Sequence, residues 1–452
     1  MLVNRLVLKL GLVRFATSLM FIVLATVLNR VLVVELLVPA ALVTFSFAFQ
    51  HVMTPVGLIT GYFSDAYAPT GRHRAPYIWG GMLLSLAVMP LFPSWALALG
   101  ASPHNRQLLW QGVALFSLFG VGTTMSATAI NALLVDRIPK KDRGSAMTLL
   151  WILTLGGFIF GSVLISFLYP EFDPAALTQV FILVTVLALV LTIWGAWGVE
   201  PRRRVVPTFL ARQLDFWLTI RFLGSNLQSL AFFLFLMATI FFLAIQTFLL
   251  TPFGGEVLGL PMATTSQFGI YLTYGILTAM LGLHLFLGDR ARRFYKAILA
   301  VGLSVGTLAF VLLSLTSFTP NPVWGLYALG LLGLSRGLYN VGLSHLTMGM
   351  THPLFSGIFM GLWNLMSGLA LAAGEMTGGA LKDWLTELTG SVAGAYGWLF
   401  LLEGLGLFSC LVLLLPLNQK TYREALEQFL IETRRRRKPS LAVEAGGISH
   451  DS

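Results

Sequence analysis

Apolar residues along this chain gather into about twelve long runs separated by short polar breaks. In the first half the runs cover 12–31, 39–63, 76–99, 107–135, 145–169 and 177–199. In the second half they cover 227–250, 265–287, 297–317, 323–350, 355–381 and 394–417. Many reach roughly 20 residues, the length needed to cross about 30 Å of hydrocarbon at a rise of about 1.5 Å per residue. In lipid the backbone must satisfy its own hydrogen bonds, so the pattern predicts helices. The longest polar connection lies in the middle, at 200–226. It opens with Glu-Pro-Arg-Arg-Arg and continues with Phe209, Phe216, Trp217 and Ile220 among polar residues, which predicts a helix lying on the membrane surface. After 417 a smaller version follows, with Tyr422, Leu426, Phe429 and Leu430 as an apolar stripe before Arg434 to Lys438. From Pro439 onward the composition predicts disorder.

Six runs on each side of a long connection predict two homologous halves. The expected architecture is all-α and polytopic: twelve transmembrane helices in two six-helix pseudo-symmetric bundles. The bundles would span 1–199 and 227–417, with a linker at 200–226 and a basic tail at 418–452. The stretch Gly144-Ser-Ala-Met-Thr-Leu-Leu-Trp151 has a counterpart in Gly357-Ile-Phe-Met-Gly-Leu-Trp363. Small residues crowd the fifth run (Gly156, Gly157, Gly161, Ser162) and the eleventh (Gly368, Ala372, Ala373, Gly374, Gly378, Gly379). Such residues let helices approach closely, as at an inter-helix contact that moves. Packing without motion explains them equally.

Charge fixes the orientation. Of 29 Lys and Arg residues, 25 fall on the N-terminal side of the predicted spans, including Arg5, Lys9, Arg14, Arg72, Arg74, Arg137, Arg143, Arg202 to Arg204, Arg290 and the tail cluster. Arg30, Arg106 and Lys382 fall on the other side, and Arg336 lies inside a run. Basic loops stay cytoplasmic during insertion, so both termini are expected in the cytoplasm. A chain that is 56% hydrophobic and 11% charged is not an ordinary soluble domain. Its net charge of +10 is a by-product of one-sided loops, so no nucleic-acid partner is expected. One cysteine, Cys410, excludes a disulfide framework and a thiolate metal site. The first run lacks a convincing cleavage site and reads as a retained anchor.

Two loops carry recognisable spacing. After the second run stand Gly61-x-x-x-Asp65 and then Gly71-Arg72-His73-Arg74, which resembles the G-x-x-x-D…G-R-R loop of the major facilitator superfamily, stretched by about three residues. Asp136-x-x-Pro139-x-x-x-Arg143-Gly144 resembles that superfamily's second loop motif. A degenerate copy, Asp289-Arg290-Ala-Arg292-Arg293, appears in the second half. These residues are expected to form a charged latch between the halves on the cytoplasmic face, with Asp65 against the start of the eleventh helix. Leu28-Asn29-Arg30-Val31-Leu32-Val33-Val34-Glu35-Leu36 with Val38-Pro39-Ala40, and Ser64-Asp65 with Arg74-Ala75-Pro76-Tyr77-Ile78-Trp79, narrow the resemblance. Both segments look like the PucC-type proteins, the (bacterio)chlorophyll delivery family within that superfamily. The resemblance implies chlorophyll or bacteriochlorophyll as bound or transferred pigment, without a protein-bound metal site. It also implies light-harvesting or photosystem apoproteins and pigment-synthesis enzymes as partners, besides membrane lipid. The location it implies is a photosynthetic membrane, a cyanobacterial thylakoid or a bacterial inner membrane.

Chemistry inside the spans is sparse. Arg336 shares a face with Asn340 and Ser344, and an arginine in hydrocarbon needs a partner, for which Glu375 and Glu403 are the candidates. Asn364 shares a face with Glu375. The set is either an ion pair that fixes packing or a polar patch that binds a ligand or relays protons. His51, His284 and His345 are the histidines within spans, and His51 and His345 are the foremost candidates for a pigment's axial ligand. Inter-helix hydrogen bonding explains them as well. Thr124, Thr128 and Asn131 line one face of the fourth helix, toward a central cavity or toward a neighbouring helix. The 34 Phe and 15 Met suit a broad apolar cavity but also suit lipid. No phosphate loop, His-x-x-Glu pair or nucleophile elbow is present, so catalysis is not expected. The alternatives to pigment delivery are a secondary transporter of a small or lipophilic solute, proton-coupled through Glu375 or Glu403, and a scaffold that acts through protein contacts alone.

Overall fold

A computed structural model of the chain describes residues 2–66, 72–139, 143–200, 221, 223–350, 356–429 and 431. Among the described residues there are helices and short turns and no strand. In chain order the long helices of the first half are α1 (Arg5–Glu35), α2 (Ala40–Ser64), α3 (Ala75–Ala101), α4 (Arg106–Arg137), α5 (Arg143–Leu168) and α6 (Pro174–Ala196). The second half continues with α7 (Leu227–Glu256), α8 (Met262–Leu287), α9 (Tyr295–Phe318), α10 (Pro322–Met350), α11 (Ser356–Thr389) and α12 (Val392–Leu414). All but α10 and α11 are long and apolar enough to cross a membrane, which gives 10 candidate spans among the described residues. Those two helices are 29 and 34 residues long, and polar side chains such as Arg336, Asn340, Glu375 and Lys382 dilute their apolar character. The chain is an all-helical integral membrane protein.

Local chemistry sets the irregular points. Pro55 has no N–H to give to the His51 carbonyl, and α2 breaks there. Thr54 closes the gap, its N–H 3.1 Å and its hydroxyl 2.5 Å from that oxygen. In α1 the wide turns at Val23–Leu28 and Val31–Glu35 flank Asn29 and Arg30. Such widened turns are concentrated at functional positions in helices.

The packing repeats. α1 packs on α5 and α6, α2 and α3 pack on α4, and α3 packs on α6. Six helices later, α7 packs on α11 and α12, α8 and α9 pack on α10, and α9 packs on α12. Two pairings cross between the halves, α2 with α11 and α5 with α8, and the same six-helix shift exchanges them.

The glycines of α5 and α11 divide between these contacts. A Cβ on Gly157 would lie 2.8 Å from the Phe15 carbonyl of α1, and one on Gly374 would lie 2.5 Å from the Phe241 carbonyl of α7. Those two serve packing inside a half. Gly379 faces α2 across the seam, where a Cβ would lie 2.5 Å from the Ala40 carbonyl, and Gly368 meets Thr54 there. Only part of the small-residue stripe therefore belongs to the contact between halves.

The tail differs from its expected place on the membrane surface. Residues 419–429 are helical, and Tyr422 and Leu426 are buried in the second half. Gln419 Nε2 donates to the His345 carbonyl at 2.9 Å and Arg423 Nε to the Gly349 carbonyl at 3.2 Å, so the tail caps α10. Burial pushes the Tyr422 phenol up to about 12. The linker helix expected around Phe209, Phe216, Trp217 and Ile220 and the chain from 432 onward lie outside the described residues.

Candidate functional site

Polar side chains converge at three levels along the seam between the halves. The first is the end of the bundle away from the arginine-rich loops. Asn29 Nδ2 donates to the Phe248 carbonyl of α7 at 2.6 Å. Arg30 reaches α8 with two bonds, Nη1 to Thr265 Oγ1 at 2.5 Å and Nη2 to the Leu260 carbonyl just before it at 2.9 Å, while Glu35 stands 3.6 Å from its Nε. Across the seam Asp383 of α11 accepts the Ala40 and Ala41 N–H groups at 3.3 and 2.7 Å. That carboxylate sits on the positive end of α2. Beside it Lys382 lies 3.2 Å from Glu256, and Tyr396 donates its hydroxyl to the other Glu256 oxygen at 2.6 Å. Asn29, Arg30 and Asp383 therefore tie the first half to the second at this end. Sequence reasoning singled out Arg30 and Glu35 as a possible pair but missed Asp383, Lys382, Glu256 and Tyr396.

The second level lies near the middle of α2 and α11. His51 Nε2 stands 3.3 Å from Glu375 Oε1, the carboxylate fully buried and the imidazole one-quarter exposed. Glu375 was a candidate partner of Arg336, but it faces the other half instead. Glu403, fully buried in α12, is the charge that acts on Arg336. Arg336 Nη2 donates to the Leu243 carbonyl at 2.8 Å. Its Nε, both Glu403 oxygens and Gln246 Oε1 are buried without an aligned hydrogen bond. A cluster this incompletely satisfied is set to take a proton, a water or a polar group of a ligand. With Nε2 turned to Glu375, His51 has only Nδ1 left for axial ligation.

Asn340 and Ser344, on one face of α10, are exposed, and so is Asn364 of α11. An asparagine this deep in an apolar helix requires a watery cleft or a polar cargo group rather than lipid. Thr124 and Thr128 face α2, both beside Gly57, and Asn131 Oδ1 accepts from Arg14 Nη2 of α1 at 3.1 Å. The polar face of α4 is thus spent on inter-helix packing, and the cavity-lining expectation gives way to it. His345 lies near the end of α10, where Arg292 acts on it, far along the chain from His51. His284 is exposed.

The third level is the arginine-rich end. Arg74 Nε binds Asp136 Oδ2 at 3.0 Å and its Nη1 binds Ser64 Oγ at 2.5 Å. Glu200 accepts the N–H groups of His73, Arg74 and Ala75 at 2.9, 2.9 and 2.7 Å, capping α3. Gly61 lies against Thr128 of α4. These bonds join α2, α3, α4 and the end of α6, all in the first half. The expected latch between halves is corrected to that extent: Arg74, Asp136 and Gly61 bind the first half to itself. Arg290 is exposed. Gly71 and the side chains of Asp65, Arg143 and Asp289 lie outside the described residues, as does the start of α11 that Asp65 was expected to meet. Among the described residues no three His, Cys, Asp or Glu side chains gather as a metal site.

Two bundles exchanged by a six-helix shift, with a polar seam between them, define a protein of the major facilitator fold. The solved nucleoside transporter NupG has the same fold, with a TM-score of 0.68 at 15% identity over 91% of this chain and 99% of that one. The family described as PUCC protein matches residues 27–422, and the chain belongs to it. Protein PucC of Rhodobacter capsulatus is 26% identical over 431 residues, 91% of this chain and 92% of that protein. The bacteriochlorophyll synthase 44.5 kDa chain of Rhodobacter capsulatus is 27% identical over 411 residues, 88% of this chain and 93% of that protein.

Proposed function

We propose that this chain handles chlorophyll or bacteriochlorophyll, without catalysis, while light-harvesting or photosystem complexes are assembled in a photosynthetic membrane. The observation that carries the reading is membership of the PUCC family over residues 27–422. A relative of nearly the same extent bears the name of a bacteriochlorophyll synthase chain. The seam suits such a cargo chemically. A tetrapyrrole needs long apolar walls and a few fixed polar groups, and Asn340, Ser344, Asn364 and the Arg336–Glu403 cluster are the polar groups on offer. Deleting the gene tests the proposal: absorption of the antenna and photosystem bands should fall, with free pigment or its precursors accumulating. Unchanged bands and unchanged complex assembly would overturn it.

A second reading is proton-coupled movement of a small or lipophilic solute. It is favoured by the two fully buried carboxylates, Glu375 and Glu403. Uptake into proteoliposomes under an imposed pH gradient separates the two, because pigment handling requires no gradient-driven flux.

A further inference from the structure

Arg72 came out of the loop motif as part of a latch, yet no carboxylate among the described residues answers it. Its Nε is buried without a hydrogen-bond partner. The nearby acids are engaged: Glu200 takes three backbone N–H groups and Asp136 takes Arg74. Arg72 instead lines a cavity of about 210 Å³ together with Trp79, Trp197 and Gly198.

The position of that cavity is informative. Trp79 is in the first turns of α3 and Trp197 follows the last turn of α6, so both indoles stand where apolar spans end on the arginine-rich side. Gly198 turns the chain with φ +68 and leaves Trp197 71% exposed. Lys9 Nζ donates to the Trp197 carbonyl at 2.7 Å, which brings a second cation to the rim. Tryptophan prefers the head-group level of a bilayer, and basic residues beside a span attract anionic lipid. A guanidinium with a buried, unanswered nitrogen calls for an anion, and its planar fork suits phosphate oxygens.

We propose that Arg72, Trp79 and Trp197 form a binding site for the phosphate of an anionic lipid head group on the arginine-rich face. Arg72 pairs with the phosphate, Lys9 adds long-range attraction, and the indoles flank the glycerol region. This inference is independent of what the seam carries.

Native mass spectrometry of the full-length protein, released from detergent, tests it with three probes: phosphatidylglycerol, phosphatidylcholine and inorganic phosphate. The wild type should retain one phosphatidylglycerol in preference to phosphatidylcholine. Arg72→Gln should lower that retained fraction about tenfold, as loss of one charge-assisted contact of roughly 1.4 kcal/mol implies. Trp197→Ala, at an exposed position that folding tolerates, should also lower it and serves if Arg72→Gln does not fold. Phosphatidylglycerol that resists millimolar phosphate identifies lipid as the source, whereas displacement by phosphate supports the same anion site with free phosphate as the ligand. Equal retention of the two lipids, or undiminished retention in both variants, would overturn the proposal.

Discussion

Lys382 is buried at the end of α11 with Glu256 of α7 at 3.2 Å, Asp383 at 3.9 Å and the Tyr396 ring 5.7 Å away. Removing one partner of a buried pair strands the other, which costs more than the pair contributes intact. Lys382→Met should therefore destabilise the protein by about 3 kcal/mol, read as a lower melting temperature by tryptophan fluorescence. Adding Glu256→Gln should restore part of the loss, because it removes the stranded charge. An additive double variant would mean that the two side chains act separately. In the sequence Lys382 and Asp383 look like ordinary helix-end charges, since their partners lie 126 and 342 residues away. His51 and Glu375 were each legible as ionisable groups inside apolar runs. Their pairing was not, because periodicity gives the face a residue occupies and not the helix it meets. The loop motif shows the reverse: its spacing was plain, but Arg74 turned toward Asp136 and Ser64 of its own half.

At the scale of elements, α11 explains why small residues cluster without a single purpose. Gly374 and Gly378 press on α7 while Gly368 and Gly379 press on α2. Gly378 faces the Ile245 carbonyl so closely that even a methyl group has no room. Gly378→Ala should cost about 1–3 kcal/mol, the usual cost of overpacking. Gly330 of α10 has nothing near its missing Cβ. Gly330→Ala should be neutral or stabilise by up to about 1 kcal/mol through helix propensity alone. Thermal denaturation of the two purified variants in the same detergent decides between them, and equal effects would refute the packing assignment. Helix positions were largely readable from apolar runs: 39–63 became Ala40–Ser64 and 76–99 became Ala75–Ala101. The misses have physical causes. α11 runs on from 381 to Thr389 because Lys382 and Asp383 find partners across and beside the seam. α1 runs on to Glu35 because Arg30 is satisfied by α8 and its approach. The tail stripe was read from amphipathicity, which cannot tell a membrane surface from a protein surface, and Tyr422 and Leu426 chose the protein.

At the scale of the whole molecule, the halves meet along α2 with α11 and α5 with α8, and their side-chain ties gather at the end away from the arginines. Gly379 lies directly against Thr44 there. In a Cys410→Ser background, Thr44→Cys with Gly379→Cys should cross-link the halves under mild oxidation. A protease site placed in the 201–220 linker would then leave the two fragments joined on a non-reducing gel, and separation of the fragments would contradict the arrangement. Family membership and this seam together lead to pigment handling as the central claim. The most direct measurement is the absorption spectrum of tagged protein purified from its native membrane in mild detergent. The account predicts a chlorophyll or bacteriochlorophyll band that elutes with the protein and weakens in an Arg336→Met or Glu403→Gln variant. Repeated elution of folded protein without pigment, and without antenna or photosystem subunits, would contradict it.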